Sequence, residues 1–133
     1  MTEYLRMYLI VLLSFVIIDL FWLGIVAKKL YRKYIGFLMR DKVYWPAAII
    51  FYLLFIGGIL FFAVLPGIER SSILYGTLSG GFFGFISYAT YDLTNLATLK
   101  GWPKTITVID LTWGTLLTGG TSALSLWMIQ LLA

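Results

Sequence analysis

The sequence predicts an all-α integral membrane protein, a single domain over residues 1–133 folded as a four-helix bundle. Three observations carry that expectation. The chain is 61% hydrophobic and only 12% charged over 133 residues, whereas soluble domains of this size run nearer 45–50% apolar. Its apolar residues fall in four long runs, each reaching the ~20 residues a helix needs to cross the bilayer core. Backbone groups in lipid must be satisfied within the segment, so runs of this length read as helices.

The first run, 4–27, is interrupted by Arg6 and Asp19. It reads as a span, since its apolar part exceeds a leader's 7–15 residues and its strong positive charge follows it. The second, 44–65, opens at Trp45-Pro46 and closes at Pro66-Gly67. The third, 71–95, holds Gly76, Gly80, Gly81 and Gly84 and ends near Thr94 and Asn95. The turn Lys100-Gly101-Trp102-Pro103 leads into the fourth run, 105–132. The short connections favour antiparallel neighbours.

The basic residues predict the orientation. The loop after the first run carries Lys28, Lys29, Arg32, Lys33, Arg40 and Lys42, and the loop after the third carries Lys100 and Lys104. The other side has only Arg6 and Arg70. The excess of Lys and Arg marks the first and third loops as cytoplasmic and places both termini outside. Tyr31, Tyr34, Tyr44, Trp45 and Trp102 suit an aromatic belt on the cytoplasmic side. The expected location is the cell membrane, with several passes. The net charge of +4 therefore reads as topology and anionic-lipid contact, and no nucleic-acid partner is expected.

The chain has no histidine and no cysteine. That removes thiolate and imidazole chemistry, and with it the usual zinc and haem sites. Any chemistry falls to carboxylates, amines and hydroxyls.

Three carboxylates sit where they are costly. Asp19 lies nine residues before Lys28, roughly 13 Å along a helix, and Asp110 lies six after Lys104, about 9 Å. Asp92 lies eight residues before Lys100. All three fall in the cytoplasmic half at similar depth. A charged group facing lipid there costs at least ~2.5–3.5 kcal/mol, so each should turn inward. Helical phase puts Thr77, Gly81, Gly84, Tyr88, Asp92 and Asn95 on one face, and Thr107, Asp110, Trp113, Gly114, Leu117 and Thr121 on another. Trp22 shares a face with Asp19. Asp19 and Trp22 repeat the spacing of Asp110 and Trp113, which puts an indole beside each carboxylate. One cavity results, built on Asp92, Asp110 and Asp19 as a candidate acid/base or ligand-orienting cluster. Trp22, Trp113, Tyr88, Tyr91 and Asn95 are its candidate ligand-binding residues.

At YDLTNLATLKGWP, followed by V-x-D-L-T-W-G, the chain resembles an uncharacterised family of small membrane proteins, domain of unknown function 2177. IDLFWLG around Asp19 matches the family's early motif. The resemblance covers nearly the whole chain, most specifically Tyr91 to Gly114. It implies a four-span bundle and no established activity.

Each feature also has a plainer reading. A buried Asp can serve as interhelical glue worth only ~0.6–2 kcal/mol. Three that converge repel one another, which favours a pocket. The tyrosines can simply satisfy neighbouring carboxylates. The glycine face of Gly76, Gly80 and Gly84 reads as close helix packing, with a homo-oligomer contact as one use of it.

Clustered carboxylates share protons as a coupled set and can act as general acid and base. The preferred reading is a pocket for a small amphipathic or lipid-like ligand, with Asp acid/base chemistry as an option. Whether a ligand is turned over stays open. A proton- or cation-coupled small transporter is the alternative, and a structural or accessory protein for a membrane partner is the second. Asp19, Asp92, Asn95 and Asp110 also form a candidate oxygen site for Mg²⁺ or Ca²⁺.

Overall fold

The computed structural model describes residues 2–133. Four long helices account for most of them. The first runs Thr2–Leu38, the second Trp45–Glu69, the third Ile73–Thr98 and the fourth Lys104–Leu132. No strand occurs among the described residues.

The first helix passes beyond its expected end at 27. It takes a π-helical turn at Leu23–Ala27, continues as α-helix through Lys28–Ile35, and closes in a 3-10 turn at Gly36–Leu38. Lys28, Lys29, Arg32 and Lys33 thus extend the helix, while Arg40 and Lys42 follow it in the loop. The second helix begins with Pro46 in its first turn, where a missing N–H costs nothing. It also continues through Pro66 to Glu69. Pro66 cannot donate to the helical ladder and crowds the carbonyl four residues back. A π-helical turn at Leu60–Val64, directly before it, widens the helix and accommodates the ring. Ser72 caps the third helix, its hydroxyl accepting from the Tyr75 N–H at 2.9 Å. That helix ends at Thr98, three residues past the expected limit. Gly101, with φ of 79°, supplies the left-handed residue of the following turn.

Three of the helices are long and apolar enough to cross a membrane: the first, second and fourth. The third has the length, at 26 residues, but its glycines, hydroxyls and Asp92 keep it outside that group. The outer surfaces suit lipid. Leu5, Leu9, Leu13, Ile17 and Leu20 form an exposed stripe along the first helix, and Ile50, Leu54 and Phe61 are exposed on the second. A soluble protein does not leave contiguous apolar area of this extent in water.

The apolar core joins the first, second and fourth helices through Val11, Phe15, Phe55, Ile56, Ile59, Val64, Leu117 and Leu126. The third helix docks on the fourth by its glycines. A Cβ at Gly76 would collide with Leu126, one at Gly80 with Ser122, and one at Gly84 with Thr118 and the Gly114 carbonyl. The glycine face proposed for a homo-oligomer contact is therefore filled by the chain's own fourth helix.

Candidate functional site

The glycine contacts set an antiparallel register. Each step of four up the third helix meets a step of four back along the fourth: Gly76 with Leu126, Gly80 with Ser122, Gly84 with Thr118. Tyr88 follows, its ring lying on Gly114. One further step brings Asp92 to Asp110, and the two carboxyl groups come within hydrogen-bonding reach. Small residues that let two backbones approach thus also aim two acids at each other.

The pair is buried, Asp92 at 0% exposure and Asp110 at 7%. Asp110 accepts a hydrogen bond from the Tyr31 hydroxyl. Apart from the neighbouring Asp110 carboxyl, neither oxygen of Asp92 has a donor among the described residues. Two ionised carboxylates are acceptors only, so a bond between them needs a proton held in common. A cavity of about 300 Å³ reaches Asp110 and is lined by it with Phe51, Ser87, Tyr88 and Tyr91; Asp92 lies behind Asp110, outside the lining.

Asp19 lies apart from this pair. It is half-buried, and the groups facing it are the Tyr52 hydroxyl and the Trp113 indole. It lines a different cavity, of about 360 Å³, between the first and second helices. Among the described residues no group of three or more acidic side chains could hold a metal ion. The oxygen site drawn from Asp19, Asp92, Asn95 and Asp110 does not assemble, because Asp19 turns toward the second helix while the other two acids face each other.

The two indoles join the halves. Trp22 and Trp113 stack with ring centroids 4.4 Å apart and planes 11° from parallel. Asp19 of the first motif faces Trp113 of the second. Trp22 faces Tyr31, which in turn bonds Asp110. The two D-x-x-W motifs therefore interlock, each reaching the other's polar partner. Tyr88 lies among these acids, in the field of Asp110, Asp19 and Asp92. Tyr91 is exposed at the cavity, facing Asn95, with its ring edge-on to buried Trp102 at 5.6 Å. Trp102, expected in an aromatic belt, is instead 7% exposed and donates to Thr107 Oγ1 at 3.1 Å.

A family match covers residues 4–127, under the description "Predicted membrane protein (DUF2177)". The chain belongs to the DUF2177 family. No curated protein matches this DUF2177 chain, and no solved structure does.

Sequence reasoning missed two members of the site in this DUF2177 protein. By sequence alone Tyr31 belongs to the interfacial belt. Twelve residues from Asp19, it would lie ~120° away on an unbroken α-helix; the extra residue absorbed by the π-helical turn at Leu23–Ala27 cuts this to ~20°. Nothing in the sequence marks that turn. Tyr52 did carry a signal: it is the one hydroxyl on the second helix between Trp45 and Pro66.

Proposed function

We propose that the protein is a multi-pass protein of the cell membrane, a four-helix bundle with both termini outside and its basic loops in the cytoplasm. In this reading it binds a small amphipathic or lipid-like ligand at the Asp92–Asp110 pair. The observation that carries it is the acid pair: Asp92, fully buried with no donor except its neighbouring acid among the described residues, backs Asp110, which lines a cavity of about 300 Å³. A buried acceptor left unpaired costs ~1–3 kcal/mol. A chain that needed only packing would do better with apolar residues there, so the pair is better explained by a ligand that donates to Asp110.

The ligand's polar end meets Asp110, with Asp92 behind it as proton partner, and its apolar part lies along Phe51, Tyr88 and Tyr91. Tyr31 orients Asp110 through its hydroxyl. A carboxyl pair of this kind can also pass a proton to and from a bound group, which is the route by which acid/base chemistry on the ligand would proceed. The basic stretch Lys28–Lys42 supports the orientation, by the positive-inside rule.

Native mass spectrometry of the purified protein tests this reading. The wild type should retain a ligand that Asp92→Asn and Asp110→Asn lose while still inserting. The same retained species in all three proteins would remove the basis for the pocket and favour a structural role.

A second reading has one observation in its favour. Thr118, Thr121 and Ser125 follow Asp110 along the fourth helix, buried and without side-chain partners. They extend the polar face toward the opposite end, as a proton-coupled transporter would require. Proton uptake into proteoliposomes, abolished by Asp110→Asn, would favour this over a ligand pocket.

A further inference from the structure

The groove holding Asp19 is separate from the Asp92–Asp110 pair and has its own geometry. The first helix contributes Leu12, Val16, Asp19 and Leu23, and the second contributes Trp45, Ile49, Tyr52 and Ile56, around a cavity of about 360 Å³. The helices are antiparallel here. Leu23 and Trp45 mark the end nearest the basic loop, and Leu12 and Ile56 the end toward the middle of the helices. Asp19 lies about one turn from the loop end. Beyond it the groove is apolar for seven residues of helix, roughly 10 Å. Val16, Leu20, Ile49 and Leu53 are each 39–61% exposed on their helices, so the groove opens sideways to the surface that lipid would cover.

The chemistry is one-sided. The groups facing the Asp19 carboxylate are a phenol and an indole, both neutral donors. The groove therefore carries an acid at one point and hydrocarbon along the rest of its length, and among the described residues no cation lines it. A charge at this depth is costly unless paired, and the complement of this surface is a cation carrying a single alkyl chain.

We propose that this groove is a second binding site, for a single-chain amphiphile with a primary amine head. The ammonium sits between Asp19 and Tyr52, with Trp45 at the entrance, and the chain runs along Val16 and Ile49 toward Leu12 and Ile56. The amphiphile enters laterally from the leaflet beside the basic loop. The site does not depend on the Asp92–Asp110 pair, since the two cavities share no lining residue.

Equilibrium binding of radiolabelled hexadecylamine to the full chain in phosphatidylcholine nanodiscs tests the proposal, with Asp92→Asn as the background that silences the other pair. That background should bind the amine saturably above empty nanodiscs. Adding Asp19→Asn should weaken binding at least about tenfold, the loss expected when a charge-assisted hydrogen bond goes. Ile49→Phe, which fills the groove without touching the carboxylate, should cause a similar loss and guards against a fold defect in the Asp19 variant. Hexadecanol and hexadecanoic acid should compete at least about tenfold less well than the amine. Unchanged binding in Asp19→Asn, equal competition by the acid, or no saturable binding in the Asp92→Asn background would each overturn this site. Loss in the Asp92→Asn background would leave the reading of the Asp92–Asp110 pair standing.

Discussion

The indoles of Trp22 and Trp113 lie face to face across the first and fourth helices, 4.4 Å between centroids. Each belongs to a D-x-x-W motif, and each motif's tryptophan approaches a polar partner of the other. The stack is the joint between the Asp19 groove and the acid pair. Breaking it should loosen both. In a double-mutant cycle of Trp22→Ala and Trp113→Ala, followed by thermal melting in detergent, the coupling should be about 0.5–1.5 kcal/mol. Additive single effects would mean the rings are neighbours without mutual stabilisation.

The glycine register makes a sharper demand. Gly81→Ala should be tolerated, since its Cβ would meet Thr115 Cγ2 at an ordinary 3.6 Å. Gly84→Ala should not, because its Cβ runs into the Gly114 carbonyl and Thr118. The expected contrast is little change in melting temperature for the first and a loss of about 1–3 kcal/mol for the second, as for an overpacked core. Equal tolerance at both positions would rule out the contact that aligns Asp92 with Asp110.

Asp92→Asn separates stability from function. The amide keeps the side chain's size and offers Asp110 an N–H donor in place of the shared proton. Folding stability should hold or rise by about 1 kcal/mol, while retained ligand is lost. A clear drop in melting temperature would show that the native Asp92 has partners within the fold.

Tyr31→Phe removes the donor to Asp110. The loss should be about 1–3 kcal/mol, typical of a hydrogen bond to a charged or buried acceptor. Tyr34→Phe, in the same basic segment, should cost much less. Similar effects from both changes would return Tyr31 to the role of an interfacial residue.

The proposed orientation is open to direct labelling, because the chain has no cysteine of its own. Lys33→Cys and Lys100→Cys should react in intact cells only with a membrane-permeant maleimide. Arg70→Cys should react with an impermeant one. The reverse pattern would invert the bundle.

Much of the helical architecture was legible in the sequence, because hydropathy depends on composition along the chain. Element ends were less so. The first helix passes through its basic residues and the second passes through Pro66, since π-helical turns absorb what local propensity reads as a stop. The approach of Asp92 to Asp110 was half legible: the G-x-x-x-G spacing was visible, yet which helix would fill it was not. The position of Asp19 was not legible, since its phase agreed equally well with a shared cavity.

The sequence by itself determined that this chain belongs in lipid, that its polar groups must turn inward, and that carboxylates and hydroxyls are its available chemistry. These follow from the cost of exposing backbone and charge to hydrocarbon, which any packing of the helices must respect. Only the tertiary structure decided that the acids divide into a pair and a single. That division depends on interhelical register, which is set by side chains meeting across helices.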